Sequence, residues 1–334
     1  MSALSREKFR NPNRPIANLL FLGPTGVGKS ETAKKLADLL HDGDESAFLK
    51  IDCSMFALGH TIGALTGAPP AYVGREQPPI LDRAIIEKEK SIVLFDEIEK
   101  GSQPLHDLML QIMDDGELTL TGTGEKVSFR NSIIIMTTNL GANEMMGLLD
   151  PAKTGFQSQK TDKNTATKQQ IDKAANGALK HHFRPEFINR IDQRVVFDPL
   201  TDVHLGQVLD NYVENANERY RDYGVSLEIS NDVKQKIITS SEERRQFGAR
   251  PILRAYDRMI ESILSKHVST GVIPEGSDVV AVLARRAANG QREYEENIDF
   301  YFRPNEELMP KPVTKEVVFV VSETGIHEGE SRVA

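Results

Sequence analysis

Residues 21–32 of this chain read FLGPTGVGKSET, a glycine-rich stretch from which the architecture of the first half can be worked out. Its central part, 23–30, matches the pattern G-x-x-x-x-G-K-[ST] in full, between an apolar strand and a helical segment. Glycines let successive backbone N–H groups turn inward around phosphate oxygens, and the following helix N-terminus adds a positive dipole. The stretch therefore predicts a site for nucleotide phosphates; a glycine turn with an incidental lysine is the alternative.

Two side chains of this loop have distinct predicted tasks. Lys29 is expected to reach the β- and γ-phosphates, and Ser30 is expected to ligate Mg²⁺. The residues expected to bind the nucleotide are Gly23, Pro24, Thr25, Gly26, Val27, Gly28, Lys29, Ser30 and Glu31.

A nucleotide hydrolase also needs a carboxylate for the metal and a base for water. The apolar run 92–95 ends in Asp96 and Glu97, which predicts Asp96 as the second Mg²⁺ ligand and Glu97 as the general base. The apolar run 132–138 likewise ends in Asn139, which is expected to position the attacking water. The alternatives are a strand-exit turn for the two acids and a turn-closing asparagine before a glycine.

The composition is that of a globular protein. The 334 residues suffice for two domains, and 39% are hydrophobic and 27% charged. No apolar run approaches the ~20 residues of a membrane span, and the N-terminus lacks the apolar core of a secretory signal. The single cysteine, Cys53, fits a reducing compartment. We therefore expect a cytoplasmic protein without membrane contact, and the net charge of −8 argues against broad nucleic-acid binding.

Periodicity predicts alternating strands and helices in the first two hundred residues. Near-continuous apolar runs suit strands that are buried on both faces of a parallel sheet. These strands are predicted at 18–22, 48–51, 91–95, 132–137 and 194–197, with helices at 31–40 and 105–113. The polar stretch 141–170 is predicted to be an exposed loop.

The pattern changes after residue 198. Helices are predicted from about 201, from about 231 and over 251–266, with a short strand at 225–229. We expect a large α/β domain over 1–198 and a small, mainly helical domain over 199–284. The segment 285–334 has no clear signal except a possible strand at 316–321.

Several longer motifs, in order, resemble the AAA+ family, and specifically the second ATPase module of Clp-type protein unfoldases and disaggregases. The resemblance covers about residues 11–284. It rests on NPNRPI (11–16), GAPPAYVG (67–74), LFDEIEK (94–100), DDGELT (114–119), FRNSIIIMTTNLGA (129–142), FRPEFINRID (183–192) and FGARP (247–251). The resemblance implies a P-loop AAA+ core with a five-stranded parallel sheet, a small helical lid, and ATP with Mg²⁺ as ligands.

The resemblance assigns roles to two arginines. Arg190, in FINRID, corresponds to the arginine finger that reaches the nucleotide of a neighbouring subunit, a use of arginine worth ~10³-fold or more in rate. An exposed helix-end salt bridge is the alternative, and Arg184 is a competing candidate. Arg250, in GARP, corresponds to the lid arginine that senses the γ-phosphate. Its alternative is an ion pair at a helix start.

Two further segments gain roles from the same resemblance. Tyr72 and Val73 match the pore loop that grips an extended polypeptide, although the family usually has glycine at position 71 and a glycine pair at 78–79. Residues 154–156, Thr-Gly-Phe, lie where peptidase-partnered members carry an aliphatic-Gly-Phe or aliphatic-Gly-Leu tripeptide. Thr154 departs from that pattern, so a surface loop is favoured over docking to a Clp-type peptidase through Thr154, Gly155 and Phe156.

These observations predict an ATP-dependent unfoldase or disaggregase that threads unfolded or aggregated protein through a homo-hexameric ring, as stress-response chaperones do. A nucleic-acid motor on the same core is one alternative. Relatives also carry a segment before NPNRPI that binds the adenine, and this chain begins 22 residues before Gly23. Three further alternatives therefore stay open. The chain is a non-motor regulatory subunit that binds nucleotide weakly, its pocket is completed by a partner chain, or it is a fragment of a longer unfoldase.

Overall fold

The structure is a computed structural model that describes residues 11–67, 78–81, 83–149, 163–241, 247–287, 294–304, 318–322 and 325–329. The chain divides between Pro199 and Leu200 into two compact units. Each unit has its own hydrophobic core.

The first unit is built on a parallel sheet of five strands. Their spatial order is β2-β3-β6-β1-β7, and every neighbouring pair is parallel. The strands are β1 (Ala17–Leu22), β2 (Phe48–Asp52), β3 (Ile92–Asp96), β6 (Ile133–Thr138) and β7 (Gln193–Val196). The five-stranded parallel sheet expected from the sequence is confirmed, with each strand within one residue of its predicted bounds.

Helices cover both faces of this sheet because its central strands are mostly apolar and are buried along most of their length. The six residues of β6 are all buried, and apolar clusters lie on the two sides of the sheet. The helices of this unit are α1 (Lys29–Leu40), α2 (Ile62–Thr66), α3 (Arg83–Ile86), α4 (Gln103–Asp115), α5 (Ala142–Leu149), α6 (Lys163–His182) and α7 (Pro185–Asn189). A hairpin of β4 (Glu117–Thr119) and β5 (Lys126–Ser128) follows α4.

The predicted loop over 141–170 is wrong at both ends. Helix α5 occupies its start, and the first eight residues of α6 occupy its end. The polar first half of α6 hid the helix, because the apolar residues that anchor it come later. Ala175 and Leu179 are both 1% exposed, lie four residues apart and pack into the core of the first unit.

The second unit combines helices with a sheet. Its helices are α8 (Asp202–Tyr220), α9 (Asn231–Ser240), α10 (Arg250–Tyr256) and α11 (Ser262–Ser269), the last two joined by a π-helical turn at Asp257–Glu261. Thr201 caps α8, since its side chain accepts a hydrogen bond from the backbone N–H of His204. The strand predicted at 225–229 is confirmed as β8 (Ser226–Ile229).

Four later strands extend β8 into a five-stranded sheet of order β12-β11-β10-β9-β8, in which only β8 and β9 are parallel among the described pairs. They are β9 (Ser277–Ala287), β10 (Tyr294–Pro304), β11 (Val318–Ser322) and β12 (Gly325–Gly329). Much of the segment that the sequence left unassigned after 284 therefore belongs to this sheet. Phe300 and Phe302 on β10 join the core of the second unit.

In the part of the chain that the structure describes, no helix combines the length and the apolar character needed to cross a membrane.

Candidate nucleotide site

Three neighbouring strands of the parallel sheet deliver the predicted site residues to one edge. The phosphate loop follows β1, Asp96 and Glu97 follow the apolar part of β3, and Asn139 follows β6. Strand β6 lies between β1 and β3, so the carboxyl ends of all three strands meet. The structure therefore brings together the residues that the sequence predicted for phosphate, metal and water.

The backbone of the loop requires glycine at its start. Gly23 has φ +152°, and a Cβ added there would lie 2.5 Å from the carbonyl oxygen of Phe197. A side chain would therefore collide with the backbone that follows β7. Gly28, at the N-cap of α1, has φ +97°. The space around it is open to a Cβ, so glycine is favoured there by its left-handed backbone conformation and not by a close contact.

Lys29, the first residue of α1, is held at the mouth of the loop. Its side-chain nitrogen donates to the carbonyl oxygens of Gly23 (2.6 Å) and Pro24 (2.7 Å) and to Oδ1 of Asn139 (2.7 Å). The residue is only 7% exposed, so its charge is screened little by water. The ammonium group therefore lies where the phosphate oxygens of a nucleotide can replace its three present acceptors.

Asp96 is the most highly connected acid of the site. Its carboxylate accepts hydrogen bonds from the hydroxyls of Ser30 (2.8 Å) and Thr137 (2.5 Å) and forms an ion pair with Lys50 on β2 (2.8 Å). Burial raises the pKa of this carboxyl, but the interactions with Lys50, Thr137 and Ser30 together outweigh burial and lower the pKa below its ordinary value. Asp96 is therefore ionised at neutral pH.

Glu97 adopts an unusual backbone conformation that aims its side chain into the same cluster. Its φ of +57° and ψ of +50° lie in the left-handed region, which costs a non-glycine residue about 1 kcal/mol. The conformation is held by a hydrogen bond from its N–H to the hydroxyl of Thr137 (3.0 Å). Its carboxylate accepts from Nδ2 of Asn139 (3.4 Å) and from Lys100 (2.5 Å). Thr137 thus orients both acids.

Sequence reasoning missed Lys50, Thr137 and Lys100. Two of them act from strands beside β3, and their contact with the acids depends on which strands are neighbours. Lys50 has a detectable signal, since a basic residue interrupts the otherwise apolar run of β2. Lys100 lies three residues after Glu97, within reach in a helical turn.

Arg190 lies near the amino ends of the strands, whereas the phosphate loop lies at their carboxyl ends. Its carbonyl oxygen accepts a hydrogen bond from Nδ2 of Asn18, near the amino end of β1 (3.2 Å). The phosphate loop begins beyond Leu22 at the other end of this strand, roughly 13 Å further along at the usual rise per residue. The side chain points to Asp114, with 2.6 Å between Nε and a carboxylate oxygen. Arg190 therefore does not join the cluster around Lys29.

The remaining predicted residues lie elsewhere. Arg250 is the exposed first residue of α10 in the second unit, followed by Pro251 in the first turn. Tyr72, Val73 and the tripeptide 154–156 lie outside the described residues.

The cluster fits Mg²⁺ bound together with nucleotide phosphates. The hydroxyl of Ser30 and the carboxylate of Asp96 are oxygen donors, and Mg²⁺ in phosphate-transfer sites takes one or two such protein ligands while phosphate and water supply the others. Among the described residues there is no group of three or more His, Cys, Asp or Glu side chains that could hold a metal alone. The donor set therefore suits a metal that arrives with its nucleotide.

Comparison with known proteins agrees with this geometry. Residues 14–194 match the family described as AAA domain (Cdc48 subfamily), and residues 200–281 match the C-terminal, D2-small domain of ClpB protein. The chain belongs to the AAA domain family. It is thus an ATPase module of the AAA class followed by a Clp-type small domain.

Three relatives illustrate the similarity. The chain is 39% identical over 276 residues to the chaperone protein ClpB of Aquifex aeolicus (strain VF5), and 35% identical over 279 residues to the chloroplastic chaperone protein ClpC4 of Oryza sativa subsp. japonica. It is 38% identical over 275 residues to ClpC of Staphylococcus aureus (strain USA300), an ATP-dependent Clp protease ATP-binding subunit. These matches cover 82–83% of this chain but only 26%, 29% and 32% of the relatives, respectively.

Proposed function

We propose that this chain hydrolyses ATP and uses the energy to unfold or disaggregate other proteins, as one subunit of a ring. The observation that carries the proposal is the hydrogen-bonded cluster of Lys29, Asp96, Glu97 and Asn139 at one sheet edge. It combines a phosphate-binding cation, a metal-binding carboxylate and a base in one place, as phosphoryl transfer to water requires. The family match and the similarity to Clp chaperones support the same reading.

Each residue of the cluster has a proposed task. Lys29 and the N–H groups of the loop bind and orient the terminal phosphates, while Ser30 and Asp96 hold Mg²⁺. When bound, Mg²⁺ neutralises negative charge on the phosphate oxygens. Glu97 accepts a proton from the attacking water at a carboxylate oxygen, and Asn139 orients that water through its amide. Arg250 is proposed to sense the γ-phosphate from the small domain.

The position of Arg190 supports a site shared between subunits. It lies near the amino ends of the strands, away from the phosphate loop of its own chain, so it is available to the nucleotide of a neighbour. We infer that Arg190 stabilises transition-state charge in trans, and that a closed ring, a hexamer by resemblance, satisfies every site at once.

The proposed substrate is an unfolded or aggregated polypeptide gripped by Tyr72 and Val73. Sequence-tolerant apolar contact from such a loop suits a motor that acts on many different chains. The chain spans about a quarter to a third of the length of the curated relatives described above, and their names include both chaperones and a subunit of a protease. A Clp-type peptidase that docks at 154–156 is therefore a secondary proposal.

The first experiment tests hydrolysis. Glu97→Gln should abolish ATP turnover while a fluorescent ATP analogue still binds, because the amide cannot accept the proton. Glu89→Gln, on an exposed acid outside the cluster, is the matched control and should leave turnover unchanged. Unchanged hydrolysis in Glu97→Gln would contradict the assignment of the base.

The second experiment tests the substrate. An unfolded protein should stimulate the ATPase rate of the wild-type chain and not that of Tyr72→Ala, whereas Tyr223→Ala, on an exposed tyrosine of the second unit, should keep the stimulation. Stimulation by DNA or RNA in place of unfolded protein would favour a nucleic-acid motor on the same core.

A further inference from the structure

Helix α4 ends in an arrangement of charges that is unfavourable in isolation. Its last two residues are Asp114 and Asp115, and its last turn contains no basic residue. The C-terminus of a helix carries the negative end of the helix dipole, so acidic side chains there are destabilising unless cations compensate them. The compensation comes from two arginines far away in sequence, Arg14 and Arg190.

The two arginines contact Asp114 in different ways. Arg14 donates from Nε to the carbonyl oxygen of Met113 (3.0 Å), and its Nη2 lies 3.3 Å from the carboxylate of Asp114. Arg190 places Nε 2.6 Å from the same carboxylate, the shorter of the two side-chain contacts. Arg14 therefore caps the helix end, while Asp114 is the side-chain partner of Arg190.

This contact constrains the guanidinium of Arg190 in a specific orientation. Nε is the guanidinium nitrogen nearest the backbone, and the two Nη groups lie at the far edge of the same plane. Nε is held on the carboxylate of Asp114 and the backbone carbonyl accepts from Asn18, while neither Nη group makes a hydrogen bond within the described residues. The side chain as a whole remains 41% exposed, which leaves room for a ligand outside the chain to reach it.

Asp114 itself lies on a rigid support. Gly116 ends α4 with φ +62°, donates its N–H to the carbonyl of Ile112 (3.0 Å) and accepts from the N–H of Phe129 (2.7 Å). A Cβ on Gly116 would lie 2.7 Å from the carbonyl oxygen of Asn13, which shows how closely the chain packs there. A carboxylate on such a turn can hold a partner side chain in a defined place.

We propose that Asp114 is a positioning residue for Arg190: it fixes the guanidinium so that its two Nη groups are presented to the nucleotide of the neighbouring subunit. The inference rests on the proposed function, in which Arg190 acts in trans. An arginine that is already ordered loses less rotamer freedom when it engages the transition state, which makes the interaction more effective at the same distance.

Substitutions within one chain provide the first test. Asp114→Asn should lower kcat for ATP about tenfold with little change in KM, because it affects orientation in the transition state and not nucleotide binding. Asp114→Glu, which keeps the charge, should recover part of this loss. Asp115→Asn removes the same charge one residue later, and Arg14→Gln removes the other partner; both should retain wild-type kcat.

A double substitution separates positioning from a general structural effect. Arg190→Ala should lower kcat by at least a hundredfold, and Asp114→Asn combined with Arg190→Ala should lower it no further. A further loss in the double variant would overturn the proposal, as would an equal loss in Arg14→Gln.

Mixed rings test whether the effect acts across the interface. Asp114→Asn subunits mixed with Glu97→Gln subunits should regain activity, because intact catalytic clusters then receive a well-positioned Arg190 from a neighbour. Arg190→Ala subunits mixed with Glu97→Gln should recover for the same reason. Failure of this second mixture contradicts the proposed function itself. If the mixture with Arg190→Ala recovers and the mixture with Asp114→Asn does not, the positioning role of Asp114 is overturned while the action of Arg190 in trans stands.

Discussion

At the scale of single residues, the site could be predicted wherever one strand carries its own functional side chain. Lys29, Asp96 and Asn139 each follow an apolar strand, and the carboxyl ends of parallel strands share one edge. Lys50 and Thr137 could not be predicted in the same way, because their contacts with Asp96 depend on strand order. Their roles follow only from the folded sheet.

The backbone at Gly23 leads to a prediction about stability. Gly23→Ala combines a left-handed backbone with a collision against the carbonyl of Phe197, so it should lower the free energy of unfolding by roughly 2–4 kcal/mol. Gly43→Ala is the matched control, since Gly43 also has positive φ (+86°) but has no atom of the described residues within 4 Å of an added Cβ. It should cost only about 1 kcal/mol in a urea titration. Equal losses would exclude the collision.

The imidazole of His106 predicts how stability depends on pH. Burial among Phe183, Phe187 and His182 lowers its pKa below the ordinary value near 6.5, although a hydrogen bond to the carbonyl of Ile98 opposes the shift. The folded chain therefore binds this proton less readily than the unfolded chain. The stabilisation is complete above the unfolded pKa and is lost as pH falls through 6.5 towards the lower folded pKa.

His106→Gln tests this assignment. Glutamine retains a donor for the carbonyl of Ile98 but does not titrate, so unfolding free energies between pH 7.5 and 5.5 should fall less steeply than in the wild type. An unchanged slope in His106→Gln would show that other groups cause the pH dependence.

At the scale of elements, strands were predicted more accurately than helices. A buried parallel strand is marked by continuous apolar residues, so both ends of each of the five strands were predicted within one residue. Helix α6 shows why helices were harder to place: its first half is polar, and its anchoring residues fall in its second half. A helix attached at one end has no amphipathic period along its whole length.

The anchoring of α6 can be measured. Leu179→Ala removes a side chain that is 1% exposed in the core of the first unit and should cost about 2–4 kcal/mol of unfolding free energy. Lys180→Ala, at the exposed neighbouring position, should change it by less than about 0.5 kcal/mol. Similar values for the two variants would mean that α6 contributes little to the core.

At the scale of the whole molecule, the large α/β unit was easier to predict than the segment after 284. The three strands of that segment lie among polar residues, and β11 and β12 are only five residues long each, so local sequence patterns mark them weakly. Only strand pairing reveals their role: β10 pairs with β9 along eleven residues, β11 pairs with β10, and β12 pairs with β11. The division into three domains and the cytoplasmic location stay predictions.

Truncation tests the contribution of these strands. A chain that ends at residue 287 loses β10 together with the buried Phe300 and Phe302, and it leaves one edge of β9 unpaired. It should melt several degrees lower in its second unit and aggregate more readily. A chain that ends at residue 322 keeps β10 and β11 and is the control. Equal melting temperatures would show that β10 adds no stability.

Lys29 and Arg190 lie at opposite ends of the strands of one sheet, and this separation affects how many complete sites an assembly can contain. In the proposed arrangement, in which Arg190 acts on the nucleotide of a neighbouring chain, each chain contributes one part to each of two sites. A linear stack of n chains would then have only n − 1 complete sites, whereas a closed ring would have n. Turnover per chain should therefore rise with protein concentration and level off once rings close. On this proposal, dilution should lower turnover per chain without any change in the fold.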